Sequence, residues 1–307
     1  MPEEGVRSIP HCEILRMHEI EEVVKIASAL GIKNVRLTGG EPLVRKGVVE
    51  LVKNLREIDG IEHIAMTTNA TMLKDFAQPL KDAGLDRVNI SLDTLDAAQY
   101  AKITRRGNLE DALAGIETAL QVGLSPVKIN VVVAKCLHQD FFAFAEMTRE
   151  RPLHIRFIEY MPVGDAKNYV GCEWGADEIV PSEQVISSIN EKAEARGHAK
   201  LEKVDEATKV QGWGPAVYYK FANAQGSVGT ISAISNHFCA NCNRIRLTSD
   251  GRIKPCLFSD AEHDIKTPLR LGEMGKVCDT IKEALLHKPE AHDFKVGTKR
   301  KMSQIGG

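Results

Sequence analysis

The stretch VRLTGGEP, residues 35–42, runs from a short strand-like segment directly into a turn that contains two glycines. Four more strand-like runs follow along the chain, at 61–68, 87–92, 127–134 and 153–161. Between the runs, apolar residues recur with the period of a helix. One predicted helix ends just before Gly31, which acts as a stop, and another begins just after Asn108, which acts as its cap. Strands that alternate with helices are typical of parallel β-α-β units with right-handed crossovers. We therefore expect an α/β fold, either a (β/α) barrel or an open, doubly wound sheet.

Polar and glycine-containing segments stand where four of these strands end. They are TGGEP at 38–42, TTN at 67–69, SLD at 91–93 and EYM at 159–161. In both candidate folds, ligands bind at the carboxyl ends of the parallel strands. The sequence therefore predicts one functional site along this edge of the sheet.

The pattern changes after Met161. Residues 162–215 are mixed, two β-rich runs follow at 216–222 and 227–235, and a cysteine cluster and a helical tail come last. We divide the chain into a barrel-like part, 1–161, and a smaller α+β region, 162–307, which we expect to pack against the barrel mouth.

Composition and charge exclude some classes of function. The 307 residues are 43% hydrophobic and 27% charged, which suits a soluble globular protein with a sizeable core. A net charge of −2 provides no general attraction to nucleic acid or to anionic membranes. No apolar run approaches the roughly 18 residues of a membrane span, and the N-terminus does not read as a signal peptide. We expect a cytoplasmic protein with no membrane or nucleic-acid partner.

Three of the seven cysteines follow the spacing C-x2-C-x13-C, at Cys239, Cys242 and Cys256. The segments around them predict a β-hairpin closed by Ser249-Asp250-Gly251, a three-residue loop with glycine last. Its register pairs Arg246 with Lys254, and residues two apart share a face. One face should therefore carry Cys242, Arg244, Arg246, Lys254 and Cys256. The hairpin would then return Cys256 beside Cys242 and Cys239, so that three sulfurs converge next to three positive charges.

Spacing alone leaves two readings of these cysteines open. Structural zinc normally takes four protein ligands, and His237 is awkwardly close to Cys239 to be the fourth. Three cysteines also suit a [4Fe–4S] cluster that keeps one iron open for another ligand. An open iron beside a cationic face suggests an anionic, nitrogen-bearing ligand such as a nucleotide.

Six motifs, in order along nearly the whole chain, resemble the GTP 3′,8-cyclase family of radical S-adenosylmethionine enzymes, lyases of molybdenum-cofactor biosynthesis. They are RLTGGEPL at 36–43, TTN at 67–69, NISLD at 89–93, RFIEYMP at 156–162, FCANCNRIR at 238–246 and the terminal IGG at 305–307. The resemblance favours iron–sulfur over zinc at the cysteine cluster.

The resemblance implies a role for each matching residue. Gly40, Ser91 and Met161 would contact S-adenosylmethionine, and Cys239, Cys242 and Cys256 would hold a [4Fe–4S] cluster whose open iron binds guanine. Gly306 and Gly307 would reach into the site. Arg156 would join the set that holds GTP, which consists of Arg36, Thr67, Lys128, Arg244, Ile245 and Arg246.

The resemblance also implies the chemistry and the partners. A 5′-deoxyadenosyl radical would remove hydrogen from ribose C3′ of GTP, and the carbon radical would close onto guanine C8, giving 3′,8-cyclo-7,8-dihydro-GTP. The protein would hold the radical source and the substrate aligned and shielded from water. A reducing system, the downstream cyclic pyranopterin monophosphate synthase and a second subunit in a homodimer are the implied partners.

The sequence departs from the family pattern at its start. The family's first [4Fe–4S] cluster uses C-x3-C-x2-C upstream of Met-Pro-Glu-Glu-Gly, and here Met1–Gly5 begins the sequence. We expect a partial (β/α) barrel of the radical S-adenosylmethionine type that lacks its first strand, and we expect the chain as written to be inactive. A truncated sequence is favoured over a true loss of radical chemistry. Cys12 does not replace the missing cluster cysteines. Ala70 replaces a usual glycine, and Asn34 replaces a common lysine.

Two other functions stay open at this stage. One is a non-catalytic iron–sulfur protein that binds purine nucleotides. The other is a zinc-stabilised nucleic-acid-binding module, suggested by the basic hairpin and by residues 299–301, against which the near-neutral charge argues.

Overall fold

The computed structural model describes residues 9–161, 163, 175–205, 210, 212, 214–292 and 298–305. In these ranges the strands form one sheet of eight strands and one of three. The predictions for Met1–Gly5, Pro162, Gly306 and Gly307 concern residues outside the described ranges.

Six parallel strands form most of the large sheet. They are β1 (Asn34–Leu37), β2 (His63–Thr68), β3 (Arg87–Ser91), β4 (Val127–Val133), β5 (Leu153–Glu159) and β8 (Ser227–Ile231). The antiparallel strands β7 (Val217–Lys220) and β6 (Glu202–Lys203) extend it beyond β8. Because the order ends at β1 and β6, the sheet is an open, partial barrel over the described residues. The α/β prediction is confirmed.

Helices cover the outer face of this sheet. They are α2 (Val48–Arg56), α3 (Leu73–Asp82), α5 (Leu109–Gln121), α6 (Phe141–Glu150) and α7 (Ser182–Ala195), while α4 (Ala97–Thr104) packs on α5. Asn108 caps α5 as expected, since its side chain accepts a hydrogen bond from the Glu110 amide at 3.2 Å.

The alternation of side chains in the strands explains why the helices pack where they do. Residues two apart in a strand share a face, and one face of β1–β5 carries almost only apolar residues. Ile64, Met66, Val88, Ile90 and Ile129 are fully buried in the core between sheet and helices. The opposite face carries arginine, lysine, asparagine and histidine. The sheet therefore has one apolar face, which is buried under the helices, and one polar face.

A second, smaller core joins the two ends of the chain. The hairpin strands β9 (Arg246–Leu247) and β10 (Arg252–Lys254) pair with β11 (His263–Asp264). Ile253 and Ile265 pack there with α1 (Met17–Ala29), α8 (Lys266–Arg270) and α9 (Met274–Leu286). As predicted, α1 ends just before Gly31, which adopts a left-handed φ of 93°. The short helix α10 (Met302–Ile305) is the last element described.

The large sheet crosses the boundary that the sequence suggested at residue 161. Strand β8 pairs in parallel with β5, from His154 opposite Ser227 to Ile158 opposite Ile231. Residues 217–231 thus continue the barrel-like sheet, whereas the three-stranded sheet stands apart from it. The division into two parts stays a prediction.

Candidate functional site

The polar face of the large sheet consists of two rows of residues in register. Thr67, Asn89, Lys128, His154 and Ser227 are neighbours across five strands. The next row consists of Ser91, Asn130, Arg156 and Gly229, each two residues further along its strand, and of Tyr218, which lies opposite Gly229 on β7. Neighbours in register share a face, so these side chains line one surface.

Arg156 is anchored on this surface by several hydrogen bonds. Its guanidinium donates to the Asn130 side-chain oxygen at 2.9 and 2.6 Å and to the Asn89 side-chain oxygen at 2.9 Å. It also bonds the Tyr218 hydroxyl. Gly229 makes room for this contact, because a Cβ there would lie 2.9 Å from the Tyr218 ring and 3.3 Å from Arg156 Cγ. The partners are neutral or phenolic, so they orient the guanidinium without a carboxylate.

Five arginines lie close enough to influence one another. Burial, then repulsion by Arg156, Arg244, Arg87 and Arg246, lowers the pKa of Arg36 to about 9. Arg36 therefore keeps its charge at neutral pH, but at a cost in free energy. Burial and then repulsion by Arg244 likewise lower the pKa of Arg246 to about 10, although Cys242 and Cys256 oppose this shift. Such a cluster favours binding of a polyanion.

Unsatisfied polar atoms mark the same surface. Among the described residues, Asn34 Oδ1, Arg36 Nε and Asn89 Nδ2 are buried without a hydrogen-bond partner. All three belong to the polar face, because Asn34 and Arg36 are two apart in β1 and Asn89 lies on β3. Buried polar groups normally have partners, so these three atoms are free to bond a ligand or a water molecule.

His154, at the other end of the face, is held neutral. Burial, then repulsion by Lys128, Arg156 and Lys220, lowers the pKa of His154 to about 4. Its Nδ1 is 2.8 Å from the Ser227 hydroxyl. His154 therefore adds no charge to the site at neutral pH.

Glu41 of the glycine-containing turn fastens two strand ends together. Its carboxylate accepts hydrogen bonds from the Thr68 hydroxyl and the Asn69 amide, both at 2.7 Å, and from the Leu43 amide at 3.1 Å. The preceding Gly39 and Gly40 are exposed, and a Cβ built at either would meet nothing within 4 Å. Their backbone is therefore open to close approach by a ligand.

Ser91 and Met161 lie at two further strand ends. Ser91 is exposed at the end of β3, and Met161, two residues after β5, packs partly buried against Val163 and Ile305. Nearby Glu159 accepts the amides of Ile234 and Ser235, both at 2.9 Å. This contact joins the end of β5 to the loop that precedes the cysteines.

The hairpin has the predicted register. Arg246 lies opposite Lys254, the Thr248 amide donates to the Arg252 carbonyl at 2.9 Å, and Gly251 closes the turn with a left-handed φ of 78°. Ile245 packs into the smaller core, so its side chain leaves the face of its neighbours Arg244 and Arg246.

Lys254 makes more contacts within the protein than the sequence suggested. It is fully buried, its amino group donates to the Ser259 carbonyl and, at 3.2 Å, to the Thr298 hydroxyl, and Glu262 lies 3.8 Å away. The expected third positive charge is present near Cys256. Because its donors are in use, it holds the C-terminal segment and is not available to a ligand.

The three clustered cysteines are free, partly buried thiols, and two of them lie near the arginines of the hairpin. The thiols of Cys242 and Cys256 act electrostatically on Arg246, and Cys242 also acts on Arg244. Within the described ranges, no group of three His, Cys, Asp or Glu residues could hold a single metal ion. This finding favours neither zinc nor an iron–sulfur cluster; free, partly buried thiols are chemically suited to ligate either.

Several site residues escaped sequence reasoning. Asn89 and Asn130 hold Arg156, Tyr218 bonds it, Arg87 joins the arginine cluster, and His292 Nδ1 lies 2.9 Å from Cys239 Sγ. A polar residue at every second position of β3 and β4 was a usable signal for the asparagines. His292 had none, because 53 residues separate it from Cys239.

Two family descriptions match the sequence. Residues 3–135 match the Radical SAM superfamily, and residues 153–294 match Molybdenum Cofactor Synthesis C.

Curated relatives are similar over the whole chain. The GTP 3′,8-cyclase of Pelotomaculum thermopropionicum is 49% identical, and that of Desulforamulus reducens is 43% identical. The GTP 3′,8-cyclase of Moorella thermoacetica is 45% identical. Each alignment covers 100% of this chain and 92% of the relative.

Solved structures share the fold. Streptococcus suis SuiB bound to S-adenosylmethionine superposes with a TM-score of 0.53 at 14% identity, over 84% of this chain and 58% of that one. Another SuiB structure gives a TM-score of 0.52 at 15% identity, over 79% of this chain and 54% of that one.

No described helix is long and apolar enough to cross a membrane.

Proposed function

The chain belongs to the GTP 3′,8-cyclase family of molybdenum-cofactor biosynthesis, within the Radical SAM superfamily, and we propose that its polar sheet face and its cysteine hairpin together bind GTP. The observation that carries the proposal is the cluster of Arg36, Arg156, Arg244 and Arg246. Four like charges that lower one another's pKa are stable together when an anion neutralises them. A nucleoside triphosphate has the required charge.

The proposed orientation of GTP follows from the two ends of this cluster. Arg36, Thr67 and Lys128 lie on the sheet face, Arg156 lies on the strand next to that of Lys128, and these side chains suit phosphate oxygens. Arg244 and Arg246 lie on the hairpin beside the thiols, where the guanine would sit. The side chain of Ile245 packs away from this face, so only its backbone is placed to contact the substrate.

Cys239, Cys242 and Cys256 are the residues that we propose as ligands of a [4Fe–4S] cluster, with one iron open to the guanine. The thiols are free and partly buried, which suits that role. Gly40, Ser91 and Met161 are proposed to contact S-adenosylmethionine, since each stands at a strand end of the same edge.

The family chemistry is a radical reaction for which a [4Fe–4S] cluster and S-adenosylmethionine supply the radical. The residues of this chain bind and orient the substrate and exclude water from it. Arg156, held by two asparagines, keeps its guanidinium in one place while the substrate reacts. A homodimer, a reducing system and the downstream cyclic pyranopterin monophosphate synthase are proposed partners.

Titration calorimetry with GTP tests the site. Arg36→Gln and Arg246→Gln should each weaken binding roughly tenfold to a hundredfold, because a hydrogen bond to a charged group contributes about 1.5–3 kcal/mol. Lys25→Gln is the matched control, since Lys25 is an exposed helix lysine paired with Glu22. Equal affinity for GTP in all four proteins would refute the proposed site.

Metal analysis tests the hairpin separately. After anaerobic reconstitution, the 307-residue chain should hold about four irons, and Cys242→Ser should lose them. Zinc in place of iron, with salt-sensitive binding of nucleic acid, would instead support the zinc-stabilised module.

A further inference from the structure

His292 lies outside the cysteine hairpin, and its side chain makes a polar contact with Cys239, one of the proposed cluster ligands. Its Nδ1 lies 2.9 Å from Cys239 Sγ. The ring stacks on Phe258, with centroids 4.4 Å apart and planes 15° apart, and His237 meets it edge-on at 5.5 Å. Phe258 is buried with Val163 and Ile305. The imidazole is therefore held on a fixed aromatic support.

The direction of this hydrogen bond follows from the chemistry of a ligating thiolate. A cysteine that binds iron has lost its proton, so only the imidazole N–H is available to donate. Donors to the sulfurs of a cluster raise its reduction potential and orient the ligand. Arg246 lies near Cys242 and Cys256, and His292 provides the corresponding polar contact for Cys239.

We propose that His292 is a positioning residue for the C-terminal cluster, holding Cys239 for ligation and raising the reduction potential of the bound cluster by an N–H···S hydrogen bond. This inference rests on the proposed function, because it requires iron at the three cysteines. The histidine acts through Cys239 and does not touch the substrate.

Two variants separate the hydrogen bond from the packing. His292→Phe keeps an aromatic ring on Phe258 and removes the donor. His292→Asn places a side-chain amide near the position of Nδ1 and so restores a donor while losing the ring. His237→Phe is the control, since His237 contacts the same imidazole edge-to-face.

The measurements are made on the reconstituted 307-residue chain. Iron content, a redox titration followed by electron paramagnetic resonance, and the rate of iron loss to a chelator are compared. We expect His292→Phe to retain about four irons, to have a lower midpoint potential and to lose iron roughly tenfold faster or more. His292→Asn should recover part of the potential, and His237→Phe should match the parent chain.

Each other outcome contradicts the inference in its own way. A parental potential and parental iron loss in His292→Phe would show that the hydrogen bond has no role. Complete loss of iron in both His292 variants would make His292 a ligand and not a positioning residue. No iron in the parent chain would overturn the proposed cluster itself, and the inference with it.

Discussion

Arg300 forms a bidentate ion pair with Asp250, in which Nη1 and Nη2 each donate to a carboxylate oxygen at 2.9 Å. The same guanidinium donates to Glu262 at 2.5 and 2.6 Å. Asp250 is in the turn of the cysteine hairpin, and Arg300 lies two residues before the last described helix, α10. The pair thus fastens the C-terminal segment to the hairpin, and Ile305 packs beside Cys256 and Met161.

Arg300→Gln should destabilise the fold by roughly 2–3 kcal/mol. This estimate lies between the cost of losing a surface pair and that of leaving buried charges without a partner, because the three side chains are only 17–24% exposed. Urea unfolding measures the loss. Lys282→Gln, which removes a mostly exposed pair with Asp279, should change stability by less than about 0.5 kcal/mol. Equal stability of the two variants would contradict the assignment.

The same ion pair should make stability depend on acid pH. Burial raises the pKa of Asp250, but the hydrogen bond and charge of Arg300 outweigh it and hold that pKa below its usual range. A carboxyl with a lower pKa in the folded state stabilises the fold above its unfolded pKa of about 3.9, and the contribution disappears as pH falls through the folded value. Between pH 6 and pH 3, Arg300→Gln should therefore lose less stability than the parent chain. A parallel loss in both proteins would argue against this linkage.

Glu41→Ala should loosen the strand ends that form the proposed S-adenosylmethionine edge. The change leaves the Thr68 hydroxyl and two backbone amides without their acceptor. Each unsatisfied buried group costs about 1–3 kcal/mol, and partial exposure to water reduces the sum, so we expect roughly 3 kcal/mol in urea unfolding. Glu57→Ala, at the end of α2, is the control and should have little effect. A loss below about 1 kcal/mol would show that water replaces Glu41.

The local parts of the fold and site were accessible from the sequence. Alternation of strands with helices predicted the parallel sheet, and Gly251 with the strand lengths predicted that Arg246 lies opposite Lys254. Both depend on contacts between residues close in the chain, where periodicity and turn chemistry decide the structure.

The remaining features depend on contacts between distant residues. Three features follow from tertiary packing: the pairing of β8 with β5, the hydrogen bonds of Arg156 to Asn89 and Asn130, and the hydrogen bond of Lys254 to Thr298. A strand run such as 227–231 has the same pattern in either sheet, so its partner could not be read from it. The roles of the individual site residues in binding GTP and S-adenosylmethionine stay predictions.

Asn34→Lys should couple the polar face more tightly to polyanions. Asn34 Oδ1 is buried without a partner among the described residues, and its side chain shares a face with Arg36. A lysine there adds a positive charge to a cluster whose members already lower the pKa of Arg36. Without a ligand the variant should melt at a lower temperature than the parent chain, because the repulsion increases. With millimolar inorganic tripolyphosphate its melting temperature should rise by more than that of the parent, because the ligand binds the folded state more tightly.

Gln121→Lys, which adds the same charge at an exposed position at the end of α5, controls for net charge and should show the parental rise. If Asn34→Lys melts higher than the parent without ligand, or gains no extra stability from tripolyphosphate, the polar face does not bind phosphate at this position.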